Sequence, residues 1–410
     1  MKRLFFLNRY FYPDHSATSQ ILSQLAFHLA ESGYSVHVIT SRQLYNDPTA
    51  SLNAEETHRG VVIHRLATTQ RGRSRLLGRS FDYLSFYLSA WRLLIALADQ
   101  SDILVPMTDP PLLSVLAWRV ARRRESKVIN WLQDVYPEVA TQLGVPFIKG
   151  PVSTLLSSAR NASLRNADVN VVVGQRMSEK VSHLGVSSDR IKVVPNWCDD
   201  ESILPVASNS NPLRAEWQLQ DKFVVGYSGN LGRAHEFETI LGAAERLRNN
   251  PHIVFLLIGS GHRSAELARR VEALGLNDKF RFLPYQSDDV LKYSLSVPDV
   301  HWISLRPELE GLIVPSKVYG IAAAGRPIIA VVAQGGEIAR LVKVFDCGVV
   351  VEPGNADAMA TAIIQLASSD TKRIQMGRRA RAMLEAEFTR RHAFDRWRQV
   401  VDTVMPPNRS

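Results

Sequence analysis

The sequence predicts an α/β protein built from two successive doubly wound domains, and three observations carry that prediction. At 410 residues the chain exceeds what one hydrophobic core usually serves, so two domains are expected. Short runs rich in Val and Ile, mostly without polar–apolar alternation, recur along both halves, as buried parallel strands do. Helical patterns separate these runs, and such alternation points to a parallel sheet in each half.

In the first half, strands are predicted at Leu4–Leu7, Val36–Ile39, Val61–His64, Ile103–Met107, Val128–Leu132, Val169–Val173 and Ile191–Val194. A helix over Ser19–Ser32 lies between the first two, with Gly33 placed to stop it. Asp199–Asn211, which holds Asn, Ser and Pro, has the composition of a linker. Strands resume at Phe223–Tyr227, Val254–Ile258, Phe280–Pro284, Val300–Ser304, Ile328–Val332 and Val349–Val351, and a helix over Glu236–Asn249 follows the first of them. An Arg-rich helix over Arg390–Val404, with Trp397 in its middle, reads as a solvated face. The expected division is one domain over 1–205, a second over 206–388, and a terminal helix and tail over 389–410.

An apolar fraction of 45% and a charged fraction of 22% are those of a soluble globular protein. The two cysteines, Cys198 and Cys347, lie in different halves without metal-type spacing, so each reads as a small buried hydrophobe in a reducing compartment. Met1-Lys2-Arg3 runs straight into an apolar strand with no signal-peptide pattern, and no stretch has the length of about 18 apolar residues that a membrane span needs. A cytoplasmic location is therefore expected. The net charge of +9 favours anionic partners, either phosphates or an anionic lipid surface. Nucleic acid is set aside because no recognised binding motif is present.

Residues 308–329 carry the densest signal. Glu308 and Glu310 precede a Pro315-Ser316-Lys317 turn, a helix rich in Ala, and Gly325-Arg326-Pro327, which stops that helix before the next strand. A turn feeding a helix N-terminus gathers unpaired N–H groups and the positive end of the helix dipole, which suits a diphosphate. Lys317 adds a point charge, and Ser316 adds a hydroxyl that can also cap the helix. An ordinary capped helix in a strand–helix–strand unit is the alternative. Upstream, Phe223–Tyr227 runs into Ser228-Gly229-Asn230-Leu231-Gly232-Arg233, where Gly226, Gly229 and Gly232 permit close backbone approach. Their spacing is not the dinucleotide fingerprint. Gly259-Ser260-Gly261 is a second close-approach loop, and Tyr285 ends a strand whose backbone can read a base edge.

In the first half, the loop Asn8–Gln20 is rich in functional groups at a strand's carboxyl end. Ser16, Thr18 and Ser19 are candidate helix caps. Asp14 and His15 can act as acid or base, or belong to a solvated turn. Asp134 and Glu138 lie just past another strand, where carboxylates can orient sugar hydroxyls or serve acid–base chemistry. Glu138 can equally satisfy a helix dipole. Arg71, Arg73, Arg75 and Arg79 precede Phe81, Tyr83, Phe86, Tyr87 and Trp91, a pattern that fits an anionic membrane surface or a core helix behind a solvated basic loop.

Three segments together resemble family 4 of the glycosyltransferases: Tyr227-Ser228-Gly229-Asn230-Leu231-Gly232, Val194-Pro195-Asn196-Trp197, and Pro315-Ser316-Lys317 with Gly325-Arg326-Pro327. With Tyr12-Pro13-Asp14-His15-Ser16-Ala17-Thr18-Ser19-Gln20, the resemblance narrows to bacterial colanic-acid-type fucosyltransferases and amino-fucosyl transferases of surface polysaccharides. It runs through nearly the whole chain in order.

The resemblance implies a GT-B fold, two facing Rossmann-like domains with a C-terminal helix, and a retaining transfer from a nucleoside-diphosphate sugar to a lipid-linked saccharide acceptor. It implies no cofactor and no required metal, with basic residues and amides stabilising the leaving group. Joined to the reading of the residues, it assigns the chemistry to Asp134, Arg233 and Lys317. The donor side falls to Gly229, Asn230, Gly232, Gly259, Tyr285, Glu310, Pro315, Ser316 and Lys317, and the acceptor side to Asp14, His15, Ser16 and Thr18. The family's second glutamate falls on Gly320, and its basic pair falls near Asn230 and His235. Glu308 and Glu310 compete for the first glutamate's role. The expected setting is the cytoplasmic face of the inner membrane, held peripherally. A nucleotide-sugar 2-epimerase shares this architecture, and a scaffold subunit without activity is the non-enzyme alternative.

Overall fold

The computed structural model describes residues 2–47, 49–69, 76–146 and 148–404. The chain forms two units. One runs to Pro195 and takes back the chain from Phe394 onward, and the other is Asn196–Ala393.

The first unit's strands are β1 (Arg3–Leu7), β2 (Ser35–Ser41), β3 (Glu55–His58), β4 (Val61–Leu66), β5 (Ile103–Pro106), β6 (Lys127–Leu132), β7 (Val169–Val172) and β8 (Ile191–Val193). They form one sheet in the order β3-β4-β2-β1-β5-β6-β7-β8. All seven predicted strands are present. The addition is β3, which pairs antiparallel to β4 at the sheet's edge. Its sequence, Glu-Glu-Thr-His, has no apolar run and so gave no strand signal. Helix Leu76–Leu97 buries Phe86, Ala90 and Leu94 against Phe5, Leu7 and Leu104 of the sheet. That is one helical stripe packed on one sheet face.

The Arg-rich terminal helix, Arg390–Val404, is more than a solvated face. Trp397 is fully buried, with its ring centroid 4.6 Å from that of Trp131 and 6.4 Å from that of Phe6. This anchor ties the helix to the first unit, so the division falls after Ala393 rather than at 388/389. The other boundary falls after Pro195 rather than at 205/206. The linker-like segment is held by the second unit: Arg381 Nη1 donates to Ile203 O at 3.0 Å, and Val206 N donates to Ser296 Oγ at 3.2 Å.

The second unit's strands are β9 (Phe223–Ser228), β10 (Ile253–Ile258), β11 (Phe280–Leu283), β12 (Val300–Ser304), β13 (Ile328–Val331) and β14 (Gly348–Val351). Their order is β11-β10-β9-β12-β13-β14, and their described pairings are parallel. Tyr227 and Trp302, 4.6 Å apart at their ring centroids, sit in the core where β9 meets β12. A buried Arg214–Asp299 pair locks the start of β9, since Asp299 also accepts from Val224 N at 2.8 Å.

In each sheet the strand order reverses once in a way that opens a crevice at the carboxyl ends: between β1 and β5 in one unit, and between β9 and β12 in the other. Open α/β sheets bind ligands at such switch points. Among the described residues, no helix is long and apolar enough to cross a membrane.

Candidate active site

The second unit's switch point brings together two loops that are far apart in sequence. Lys317 follows β12 and His235 follows β9, and Lys317 Nζ lies 3.2 Å from His235 Nε2. The imidazole is buried, and Nδ1 lies 2.7 Å from the Ser304 carbonyl. A carbonyl only accepts, so Nδ1 carries the proton and Nε2 is the acceptor for the ammonium. Burial, together with the charge of Lys317, pushes His235 down to about 3. Burial likewise lowers Lys317, to about 8. The Lys317 ammonium also lies 5.3 Å from the centroid of the Tyr227 ring. The neutral histidine therefore fixes the lysine without cancelling its charge, which leaves a cation at the place an anionic ligand would meet.

Glycines make this approach possible. Gly229 has a φ of +117°, and a side chain there would begin 3.0 Å from Lys317 Cε. Gly259 has a φ of +118°, and its missing Cβ would lie 2.6 Å from Gly229 O and 3.1 Å from Tyr285. The loops after β9, β10 and β11 are thus laid on one another, with Leu231 N donating to Ser260 O and Gly259 N to Leu283 O. Tyr285 is exposed, and its hydroxyl donates to Ser260 O at 3.4 Å. Asn230 is exposed, and its carbonyl accepts from Tyr227 Oη at 2.9 Å. Gly232 is open, with only Asn230 Nδ2 near it at 3.9 Å.

One expected role changes, the cap by Ser316, and the other residues of this group have local partners. Ser316 has helical dihedrals at the start of helix Lys317–Ala323 and makes no side-chain cap, so its hydroxyl is not the expected cap. Pro315 is buried. Glu310 Oε2 accepts from Glu337 N at 3.3 Å, which sets this carboxylate at the N-terminus of helix Glu337–Phe345. Glu308 is exposed and pairs with Arg306 at 3.6 Å. Arg233 is exposed and its guanidinium rests on His262, 2.9 Å from Nε2. A Cβ on Gly320 would meet only Leu295, at 3.7 Å, so packing does not require glycine there. His235 as the partner of Lys317 and His262 as the partner of Arg233 were not legible as pairs, because nothing in sequence spacing links loops from different strands.

In the first unit, Asp134 stands just past β6 beside a small cavity of about 20 Å³, which Thr108, Asn130, Tyr136 and Arg160 also line. Such a space holds about one water. Burial pushes the Asp134 carboxyl up to about 7, opposed by a hydrogen bond with Thr108 and reinforced by Asp109. Its Oδ1 is buried without a partner. This is a carboxyl poised near neutrality, suited to taking or giving a proton. Glu138 holds the buried Arg160 at 2.5 Å, a structural role.

The loop after β1 is organised by Asp14. Its carboxylate accepts from Ser16 N at 2.8 Å, from Ser16 Oγ and from Tyr45 N, so this side chain holds the loop rather than standing ready as an acid or base. Ser16 turns its hydroxyl to Asp14 and makes no cap of helix Ala17–Glu31. Ser19 Oγ donates to Asp14 O at 3.0 Å. His15 is exposed and Thr18 half-buried. Of the basic cluster, Arg71, Arg73 and Arg75 lie outside the described residues, and Arg79 is exposed. Among the described residues, no three His, Cys, Asp or Glu side chains gather as metal ligands would.

Two Rossmann-like units, one with a cationic switch point, define the class: an α/β protein with ligand crevices at the carboxyl ends of its sheets. The profile described as "Glycosyl transferase 4-like domain" matches residues 17–197, and "Glycosyl transferases group 1" matches residues 209–383. The chain belongs to the family 4 glycosyltransferases of GT-B fold. It is 25% identical over 366 residues to a protein of Escherichia coli K12 named as a colanic acid biosynthesis glycosyl transferase, WcaI, covering 86% of this chain and 89% of that one. It is 26% identical to a Pseudomonas aeruginosa protein named as glycosyltransferase WbjE, covering 71% and 72%. Its fold matches that of Anabaena HepE in complex with UDP, with a TM-score of 0.73 at 16% identity, covering 98% and 99% of the chains.

Proposed function

We propose that this glycosyltransferase moves a sugar, with retention, from a nucleoside-diphosphate sugar to a lipid-linked saccharide acceptor during assembly of a bacterial surface polysaccharide. The observation that carries the reading is the Lys317–His235 contact at the β9/β12 switch point, which presents an uncancelled ammonium where a diphosphate would lie. A solved structure of the same fold holds UDP, and the relatives named for colanic acid synthesis and as glycosyltransferases support the substrate class.

In this reading Lys317, loop amides and Arg233 stabilise the charge developing on the leaving diphosphate. The cation work falls to side chains, so transfer needs no metal. Asp134 receives the acceptor hydroxyl's proton, as its raised affinity for a proton suits. Asn230, Gly259 and Tyr285 line the nucleotide, and the loop Asp14–Thr18 faces the saccharide acceptor. The protein works peripherally at the cytoplasmic face of the inner membrane, where its acceptor lies.

The test is transfer from labelled UDP- and GDP-sugars to a bacterial lipid extract, in excess EDTA, with the anomeric configuration of the product read by NMR. Lipid-bound label of retained configuration is expected. Inverted configuration, or activity lost to EDTA and restored by magnesium or manganese, would overturn the corresponding part of the reading.

A further inference from the structure

The sheet of the second unit ends at β14, which has no strand on its outer side among the described residues. Its inner side is committed to β13: Ile328 N donates to Cys347 O, and Val332 N to Val351 O. Backbone groups of alternate residues in a strand point to opposite sides, so residues 347, 349 and 351 face inward. The N–H and C=O of Gly348 and Val350 then face outward. They open onto a groove of about 620 Å³, walled by helix Glu337–Phe345 on one side and helix Asp370–Met383 on the other.

Natural sheet edges are guarded by charges on the strand, by prolines or by bulges. The strand here reads Gly-Val-Val-Val and carries no charge or proline. Charge lies on the walls instead. Lys343, Lys372 and Arg379 line the groove against a single acidic residue, Asp346, which Arg379 holds. Lys343 Nζ donates to Gln334 Oε1 at 2.7 Å.

We propose that this groove takes an extended acidic segment of another protein, which adds to the sheet as a strand beside β14. The outward groups of Gly348 and Val350 supply the main-chain bonds, and Lys343 and Lys372 meet the acidic side chains. Pairing β14 with β14 of a second copy would bring two sets of cations together, so charge complementarity selects an acidic partner.

The probe is a fluorescein-labelled peptide of alternating Glu and Val, titrated with the full chain at low salt and read by fluorescence anisotropy. Its Lys–Val counterpart is the control. Val350→Pro removes an outward N–H and spares the inner ladder, because edge strands accept proline on their solvent side. Lys343→Glu with Lys372→Glu reverses the wall charge. The Glu–Val peptide should bind the parent at least about tenfold more tightly than Lys–Val, and each variant should lose about tenfold or more. Equal affinity for the two peptides, or parent-like affinity in either variant, overturns the proposal. If Val350→Pro lowers the thermal midpoint, a Glu–Val peptide N-methylated at alternate amides replaces it, tried in both registers. Undiminished binding of both methylated peptides overturns strand addition. A dimer that dissociates on dilution in sedimentation and is lost in Lys343→Glu/Lys372→Glu would mark the groove as a self-interface, and would also overturn it.

Discussion

Lys317 Nζ sits 3.2 Å from Nε2 of a histidine, His235, that is neutral across the physiological range. A carboxylate at that position would fix the lysine equally well but cancel its charge. The imidazole, tied through Nδ1 to Ser304 O, orients the ammonium and leaves its charge for a ligand. Removing the amine should therefore remove binding energy and leave the fold intact. Lys317→Ala should weaken UDP or GDP binding about ten- to a hundredfold, the effect of one charge-assisted hydrogen bond of about 1.5–3 kcal/mol. Calorimetry measures this, with circular dichroism to confirm an intact fold. Unchanged affinity would remove Lys317 from the donor site.

The same contact predicts a pH dependence. Lys317 titrates at about 8 in the fold, below its ordinary 10.5. The cost of holding a buried ammonium is fully present below pH 8, and it is relieved as pH rises from 8 towards 10.5, where the native state has shed the proton and the unfolded chain has not. A diphosphate prefers the ammonium. Nucleotide affinity should thus fall as pH rises through about 8, and binding at higher pH should take up a proton, seen as a buffer-dependent binding enthalpy. Lys317→Ala should show neither effect. A parent affinity that is flat from pH 7 to 9.5 would count against the coupling.

The β/α order and the predicted strands were legible because buried parallel strands are continuous apolar runs, as in Ile253–Ile258. The polar edge strand Glu55–His58 was not, since it buries little on either face. The cationic turn at Lys317 was legible from composition. Its partner His235 was not, because switch-point geometry joins the loops after β9 and β12 and no local pattern records that. Trp397 stood in plain view in the terminal helix, yet its burial depends on Trp131 and Phe6, which are remote in sequence. Asp14 read as an acid, a base or part of a solvated turn because two of its partners, Ser16 N and Tyr45 N, are backbone groups, which sequence does not flag; only the Ser16 hydroxyl was in view.

Gly229 tests whether the loop itself positions the lysine. Its φ of +117° and the 3.0 Å between its absent Cβ and Lys317 Cε leave no easy place for a methyl group. Gly229→Ala should cost about 1–3 kcal/mol of stability through backbone strain. It should also displace Lys317 and weaken nucleotide binding. A thermal melt and a nucleotide titration read the two effects separately. A variant with parent-like stability and affinity would show that the loop tolerates the side chain and that Gly229 has no such role.

Asp134 should reveal itself in both stability and rate. Its carboxyl titrates near 7 in the fold against 3.8 ordinarily, so the native state holds a proton that the unfolded chain loses first. The resulting stability is present at low pH and is lost as pH rises from about 4 to 7. Asp134→Asn should erase that slope and make the variant more stable than the parent above pH 7. If the carboxylate is the base, the same variant should lose about a hundredfold or more in transfer rate, together with the acid limb of the pH–rate profile near 7. A stabilised variant with full activity would confine Asp134 to a structural role.

Helix Leu76–Leu97 carries the proposal that the protein binds a lipid surface. Its inner stripe, Phe86, Ala90 and Leu94, is core, while Phe81, Leu84 and Leu88 on the outer stripe are 49%, 53% and 52% exposed. Arg79 and Arg92 are exposed on the same helix, and Arg71, Arg73 and Arg75 precede it in sequence. An apolar stripe next to basic residues is the pattern of interfacial binding, with about 1 kcal/mol for each basic residue near an anionic surface. The parent should sediment with anionic liposomes at low salt and be released by high salt. Phe81→Ser with Leu84→Ser and Leu88→Ser should reduce that binding, as should replacing Arg71, Arg73, Arg75 and Arg79 by Ser. Nucleotide affinity should be unchanged in both variants, because that site is proposed in the other unit. Equal binding to anionic and neutral liposomes would leave the basic segment as a solvated loop and the exposed stripe without a lipid role.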